Sequence, residues 1–189
     1  NIPKTIVTAS KERLKTFMVE NGEIITKILT HSVPRYYFDK APVKFKTILV
    51  SQDLVDKLEE TFFPSLFQVC VQKQYELRVF FLEKEIYAMA IFSQNNPKTQ
   101  VDFRNYDKQK PNRTVPYLLP INIKEKILHY IEKLNLTTGS IDFIKSKEGE
   151  YIFLEVNPVG QFGMVSYPCN YYLEEKTAKF LIENDRIIQ

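Results

Sequence analysis

The twenty residues from Gly139 to Pro158, GSIDFIKSKEGEYIFLEVNP, constrain the chain more than any other stretch. They read as two strands joined by a tight turn. Glu148-Gly149 suits a two-residue hairpin loop, because Gly accepts the positive φ that such turns require. With those two residues as the loop, Lys147 faces Glu150 and Asp142 lies directly opposite Glu155. Cross-strand partners share a face, as do strand residues two apart. Asp142, Glu155 and Asn157 are therefore expected to converge on one side of the hairpin. Two carboxylates and an amide oxygen, with no His or Cys, form a hard donor set. That set suits Mg²⁺, which takes one or two carboxylates and fills its shell with water and phosphate oxygens. The other reading is a hairpin whose polar face merely meets water, which is ordinary in antiparallel sheets.

The chain has 189 residues, enough for one domain or two small ones. Its hydrophobic fraction of 44% and aromatic fraction of 13% support a packed core rather than disorder. Lys+Arg of 26 against Asp+Glu of 23 leaves a formal net charge of +3. That balance does not argue for nucleic acid by itself and suits an anionic ligand such as a nucleotide. Cys70 and Cys169 form no disulfide framework, so a reducing, cytoplasmic setting is expected. No apolar run has membrane-spanning length and no signal-peptide pattern opens the chain. It begins with Asn1, and it is expected to be part of a longer protein.

Along the chain, residues 2–8 read as a strand, with Ser10 capping a helix that carries Leu14, Phe17 and Met18 inward and stops at Asn21-Gly22. Glu23–Leu29 reads as a strand in which Ile25 shares a face with Lys27. Lys27 either snorkels from an edge or points at an anion. Strands are expected over 36–38 and 43–50, and a helix capped by Ser51 with Leu54, Val55 and Leu58 inward, closed by Phe62-Phe63-Pro64. A run of strands follows over 66–72, 75–82 and 85–92. Glu76 and Arg78 share one face there and Leu77 and Val79 the other, with a solvated cross-face ion pair as the plainer account of the charges. Residues 94–120 are rich in Pro and Asn and read as a long loop containing at most a short strand. Arg104 and Arg113 in it are candidate forks for carboxylate or phosphate. A helix over 122–134 puts Ile127, Leu128, Ile131 and Leu134 inward, and Asn170 caps a last helix with Leu173, Phe180 and Leu181 inward. His31 and His129 have no partner spacing and read as packing or surface residues.

None of the five Gly falls in a GxGxxG or GxxxxGK[ST] pattern, so neither a Rossmann nor a P-loop site is present. The ordered set is instead Lys27 on a strand, Glu76 and Arg78 on a strand pair, and the face of Asp142, Glu155 and Asn157. That set resembles the ATP-grasp superfamily over most of the chain. The stretches FLEVNPVGQFG at 153–163, Val101-Asp102-Phe103-Arg104, and Arg113 with Pro116-Tyr117-Leu118-Leu119-Pro120 resemble the peptide maturases of microviridin-like peptides (graspetides). They are most similar to the "grasp-with-spasm" branch.

The resemblance implies an α+β chain with two α+β subdomains clasping ATP, over residues 1–66 and 67–189. On that resemblance, the family's preceding N-terminal domain is expected to lie outside residues 1–189. Lys27 would then contact the ATP phosphates and Ile25 pack on adenine. Gln68, Val69 and Val71 would meet adenine largely through backbone groups, and Leu154 would close its pocket. Glu76 would accept from the ribose hydroxyls and Arg78 would reach phosphate. Asp142, Glu155 and Asn157 would hold Mg²⁺, with Mn²⁺ as a substitute. Arg104 and Arg113 would bind the substrate carboxylate or the acyl phosphate made from it, with Asn157 beside them.

The implied partners are a precursor peptide with leader and core segments, a second copy of the chain, and the remaining N-terminal part of the same protein. No nucleic acid or membrane is implied. The implied activity is ATP-dependent joining of an Asp or Glu side chain to a Lys, Ser or Thr side chain within the precursor. Two alternatives stand beside it: a RimK-like ligase that adds an amino acid, and a non-catalytic binding module. Residues 30–50 depart from many ATP-grasp enzymes in having no glycine-rich phosphate loop.

Overall fold

The computed structural model describes residues 1–29 and 46–185, together with the backbone of the short strands Tyr37–Phe38 and Ala41–Pro42. His31 and the strand residues expected over 43–45 lie outside the described residues. The chain divides into two compact units. One comprises Ile2–Gln72 and Asn95–Pro111, the other Asn1, Lys73–Gln94 and Asn112–Gln189. The sequence reading divided the chain between 66 and 67, whereas the units part between Gln72 and Lys73 and the 95–111 segment returns to the first.

The first unit opens with β1 (Thr5–Ser10) and α1 (Lys11–Asn21), as the spacing predicts. Ser10 has extended backbone and its hydroxyl accepts from the Arg13 N–H, while Gly22 ends the helix at φ +76. Next come β2 (Ile24–Lys27), β3 (Tyr37–Phe38), β4 (Ala41–Pro42), β5 (Ile48–Leu49), α2 (Gln52–Asp56) and β6 (Thr61–Val69). Four of these strands pair antiparallel in the order β1-β6-β2-β5. Phe62-Phe63-Pro64 does not close the α2 segment but lies in β6. Pro64 is tolerated there because β2 pairs only with 66–69, and the β1 register shifts between Thr8 and Ser10. Leu14, Phe17, Ile24, Val50, Val55 and Phe67 form this unit's core.

The second unit is a five-stranded antiparallel sheet in the order β11-β10-β7-β8-β9. Its strands are β7 (Lys73–Leu82), β8 (Glu85–Phe92), β9 (Arg113–Tyr117), β10 (Thr138–Ser146) and β11 (Tyr151–Asn157). A 3-10 turn at Ser93–Asn95 follows β8, and β9 is the short strand within the long Pro- and Asn-rich segment. The helix α3 (Ile121–Lys133) covers one sheet face. Ile127 and Ile131 pack there against Leu77, Val79, Phe81, Ala88, Ala90, Ile141 and Phe143. Leu134, expected inward, is 45% exposed because the helix has already ended there. Two helices follow, α4 (Gly163–Cys169) and α5 (Leu173–Asp185). Asn170 does not start the last helix: at φ 53 it terminates α4 in the left-handed region, and Ser166 caps α5 by accepting from the Leu173 N–H. Leu173 is fully buried, but Leu181 is 61% exposed against its expected inward position.

One end of the sheet is closed by phenols. Tyr75 donates to the Tyr117 hydroxyl at 3.3 Å, and the Tyr117 and Tyr151 hydroxyls lie 2.6 Å apart. Burial and the Tyr117 bond push Tyr75 up to about 12, so it stays a neutral donor across the working pH range.

Gly139 on β10 is required by space. An added Cβ would lie 2.7 Å from Phe81 Cζ and 2.9 Å from the Asn157 carbonyl oxygen. Gly139→Ala is expected to destabilise the chain by about 1–3 kcal/mol. Denaturant unfolding checks this; a change near zero would mean that the Phe81 ring and β11 shift at no cost.

Candidate functional site

The hairpin brings its two carboxylates together by a different route from the simple one. Ser146, not Lys147, faces Glu150: the Ser146 N–H donates to the Glu150 carbonyl at 2.9 Å, and the Gly149 N–H returns to the Ser146 carbonyl at 3.0 Å. The loop is thus the three residues Lys147-Glu148-Gly149, with Gly149 at φ +85 as such loops require. This sets Phe143 opposite Phe153. A one-residue irregularity between Asp142 and Phe143 then leaves Leu154 as the extra residue and restores Asp142 opposite Glu155 and Ser140 opposite Asn157.

On its other side β10 pairs with β7, where Asp142 faces Arg78 and Ser140 faces Phe80. Arg78, Asp142 and Glu155 therefore form one row across three strands, on the sheet face opposite α3. Arg78 Nη1 donates to Asp142 Oδ2 at 2.7 Å, with both side chains largely buried. Arg78 Nε is buried with no hydrogen-bond partner among the described residues. Asn157 ends the strand in a turn: its side-chain oxygen accepts from the Val159 N–H at 3.0 Å, and its carbonyl accepts from the Gly160 N–H. Gly160 in turn accepts from the Ser140 hydroxyl, which pins the loop after β11 to β10.

Glu76 shares this face two residues before Arg78, but not as half of a solvated pair with it. It is 4% exposed. Its Oε1 accepts from Lys73 Nζ at 2.5 Å and its Oε2 from the Ser93 hydroxyl. Lys73 and Ser93 were not singled out in the sequence. The only signal for them was a Lys three residues before an acid on the same strand, and a Ser just past the neighbouring strand.

In the first unit, Ile25 of β2 faces Gln68 of β6, and Lys27 faces Leu66. Ile25, Lys27 and Gln68 thus share one sheet face, while Val69 packs on the core side. Gln68 donates to the Thr5 hydroxyl at 2.8 Å, and the Val69 N–H already donates to the Lys4 carbonyl. Val71 lies beyond the end of β6. Arg104 is 61% exposed at its side chain and forks the Asp102 carboxylate, Nε to Oδ1 and Nη2 to Oδ2 both at 2.9 Å. Burial alone would raise the Asp102 carboxyl; the Arg104 fork and bonds from the Arg104 N–H and the Thr47 hydroxyl outweigh it and hold it below its ordinary value. Arg113, in the other unit, lies over the Phe92 ring at 5.2 Å from its centroid.

Among the described residues no group of three or more His, Cys, Asp and Glu is placed to hold a metal. Asp142 and Glu155 with Asn157 are a two-carboxylate set, which fits an ion that takes the rest of its shell from phosphate and water. The buried guanidinium beside them fits the same anionic group. Cys70 and Cys169 are not joined in a disulfide. No described helix is long and apolar enough to cross a membrane.

No family model matches the sequence, and no curated protein matches it. Solved structures do. A RiPP-associated ATP-grasp ligase from Chryseobacterium gregarium, in complex with ADP and a leader and core peptide, is 30% identical with a TM-score of 0.77, over 86% of this chain and 48% of its own. The macrocyclase MdnC from Microcystis aeruginosa, bound with precursor peptide MdnA, is 34% identical with a TM-score of 0.73, over 88% of this chain and 52% of its own. The macrocyclase MdnB from the same organism is 26% identical with a TM-score of 0.67, over 96% of this chain and 54% of its own. The chain thus spans about half the length of these relatives.

Two outcomes follow from the paired charges. Arg78→Met should cost roughly 3 kcal/mol in denaturant unfolding, because it strands a largely buried Asp142 charge, and adding Asp142→Asn should return part of that loss. Additive losses would show that the pair is not coupled. For Asp102 the folded value is depressed, so its contribution to stability is present above the ordinary 3.8 and is lost as pH falls through the folded value. Asp102→Asn should flatten the acid limb of stability in that window, as read by melting temperature against pH. An unchanged limb would refute the assignment.

Proposed function

We propose that the chain, which is similar to RiPP-associated ATP-grasp ligases and macrocyclases, is an ATP-dependent peptide macrocyclase of the graspetide type. The observation that carries this reading is the row of Arg78, Asp142 and Glu155, in which a buried guanidinium and two opposed carboxylates share one sheet face. A phosphate chain and its counter-ion are the ligands that such a row suits. Relatives bound to ADP and to leader and core peptide support the nucleotide and the peptide as the two substrates. By motif the chain resembles the grasp-with-spasm branch, and the division into two compact units supports a reading with two ATP-grasp subdomains.

A carboxylate is a poor electrophile and must be activated. An Asp or Glu side-chain oxygen of the peptide attacks the γ-phosphorus of ATP, the bond to the bridging oxygen breaks, and ADP leaves. A Lys amine or a Ser or Thr hydroxyl then attacks the acyl carbon, its proton goes to solvent, and the C–O bond to phosphate breaks. The peptide has lost the elements of one water: the oxygen leaves in phosphate and the protons go to solvent. Such transfer needs positioning and charge neutralisation rather than a protein nucleophile.

In this scheme Asp142, Glu155 and Asn157 would hold Mg²⁺, or Mn²⁺ in its place, which supplies charge neutralisation on the phosphates when bound. Arg78 and Lys27 bind phosphate. Ile25 and Leu154 line the adenine side, which Gln68, Val69 and Val71 meet largely through backbone groups, and Glu76 takes the ribose hydroxyls. Arg113 and the Asp102-anchored Arg104 receive the substrate carboxylate and its acyl phosphate.

Glu155→Gln is expected to abolish cross-linking of a precursor peptide, read as the loss of one water per ring by mass spectrometry, with the circular dichroism spectrum unchanged. Calorimetric binding of Mg²⁺-ADP should weaken at least tenfold in Asp142→Asn. Retained cross-linking in Glu155→Gln sinks the metal assignment, and a gain of one residue's mass would replace ring closure with amino-acid ligation.

A further inference from the structure

The loop that carries Asp102 and Arg104 is closed at its base by two side chains that the phosphate row does not use, Asn96 and Asp107. Asn96 is 5% exposed. Its Nδ2 donates to Asp107 Oδ2 at 3.1 Å and to the Lys110 carbonyl at 3.0 Å, and its Oδ1 accepts from the Lys98 N–H at 3.0 Å. Asp107 Oδ1 accepts from the Gln109 and Lys110 N–H groups at 3.1 and 3.3 Å, and Lys98 Nζ lies 3.3 Å from Oδ2. The bond from Asn96, with the backbone and Lys98 bonds adding to it, holds the Asp107 carboxyl down to about 2, so it is a charged acceptor at any working pH. Asn96 and Lys110 stand fourteen positions apart in the chain, and Asp102 and Arg104 flank the midpoint between them.

The fork between Asp102 and Arg104 is local. Its partners are two residues apart, and the Asn105 N–H returns to the Asp102 carbonyl at 3.0 Å, so these bonds fix a turn against itself. The clasp of Asn96 and Asp107 instead fixes the two lengths of chain that lead into that turn and out of it. Ordering an irregular segment of this length costs conformational entropy, which bonds at its base offset. We propose that Asn96 and Asp107 are positioning residues for the peptide carboxylate: their clasp holds the loop closed before the peptide arrives, so that Arg104 meets the carboxylate already ordered. This rests on the reading of Arg104 above and adds to it the residues that preorganise it. Neither side chain touches the peptide in this scheme. The clasp needs a donor facing an acceptor, so like groups set against each other there should open it, and the ordering cost then reappears in binding.

The test titrates Nα-acetyl-glutamate α-amide, which carries a single side-chain carboxylate, into the full chain with Mg²⁺-ADP present, read by amide chemical shifts. Mg²⁺-ADP affinity is measured in parallel by calorimetry. The native protein is compared with Arg104→Gln, Asp107→Asn, Asn96→Asp, and the last two changes together. Asp107→Asn keeps an oxygen for the Gln109 and Lys110 N–H groups but sets amide against amide, and Asn96→Asp sets carboxylate against carboxylate. Each single change should weaken the carboxylate probe by about fivefold or more, the scale of one hydrogen bond, and leave Mg²⁺-ADP affinity within about twofold. The double variant exchanges donor and acceptor and should recover part of the loss, whereas multiplied losses would overturn the pairing. Native probe affinity in both single variants overturns the positioning role. So does an equal weakening of Mg²⁺-ADP, which marks a general loss of structure. Arg104→Gln decides the reading beneath: loss of probe binding there supports it. Native affinity in Arg104→Gln, or a native protein that does not bind the probe, overturns Arg104 as the carboxylate receiver and the proposal with it.

Discussion

The constraint on which the rest of the structure depends is the register of three neighbouring strands, β7, β10 and β11. Antiparallel pairing, with the one-residue irregularity at Leu154, lines up Arg78, Asp142 and Glu155. What prevents that row from slipping is the opposite face, where Leu77, Val79, Ile141 and Phe143 pack with Ile127 and Ile131 of α3. A slip of one residue would carry Arg78 into that apolar layer and expose the core residues in its place. The apolar face therefore holds the charged face in register. The ion pair between Arg78 and Asp142 adds little net stability of its own, but each charge is tolerable in burial only because the other is there.

The same logic separates what the sequence made legible from what it concealed. Alternation of period two placed Glu76 and Arg78 together, and Glu155 with Asn157, because residues two apart on a strand share a face; Asp142 joined them through a longer loop and a bulge whose offsets cancel. Helix caps at Ser10 and Ser51 were legible because short polar side chains there satisfy orphan N–H groups. Asn170 misled for a related reason: Asn also tolerates the left-handed conformation that ends a helix, and here α4 used it that way. Leu181 was misplaced because helical spacing gives the apolar stripe of α5 without saying whether anything covers it. The partners of the candidate site residues were not legible at all. That Glu76 belongs to Lys73 and Ser93, and Arg104 to Asp102, depends on tertiary neighbours that spacing does not reveal.

Charge placement in the two units follows a common pattern. Each has a buried or half-buried carboxylate tied to a basic partner from the same unit: Asp102 to Arg104 in one, Glu76 to Lys73 and Asp142 to Arg78 in the other. A mildly basic chain can thus present cations to an anionic ligand while their geometry is already set by internal acids. Preorganisation of this sort lowers the ordering cost of binding.

The hairpin tip has a consequence for how this chain can vary in length. Its loop draws Lys147 out of the first strand, and the second strand spends Leu154 on an irregularity; the two offsets cancel before the carboxylates are reached. Loop length and bulge are therefore a matched pair. An insertion or deletion that shifts the strand register by one residue would turn one carboxylate toward the α3 side unless the bulge changed with it. Length changes absorbed within the loop escape this constraint, whereas those that reach the strands are tolerated only in compensating pairs.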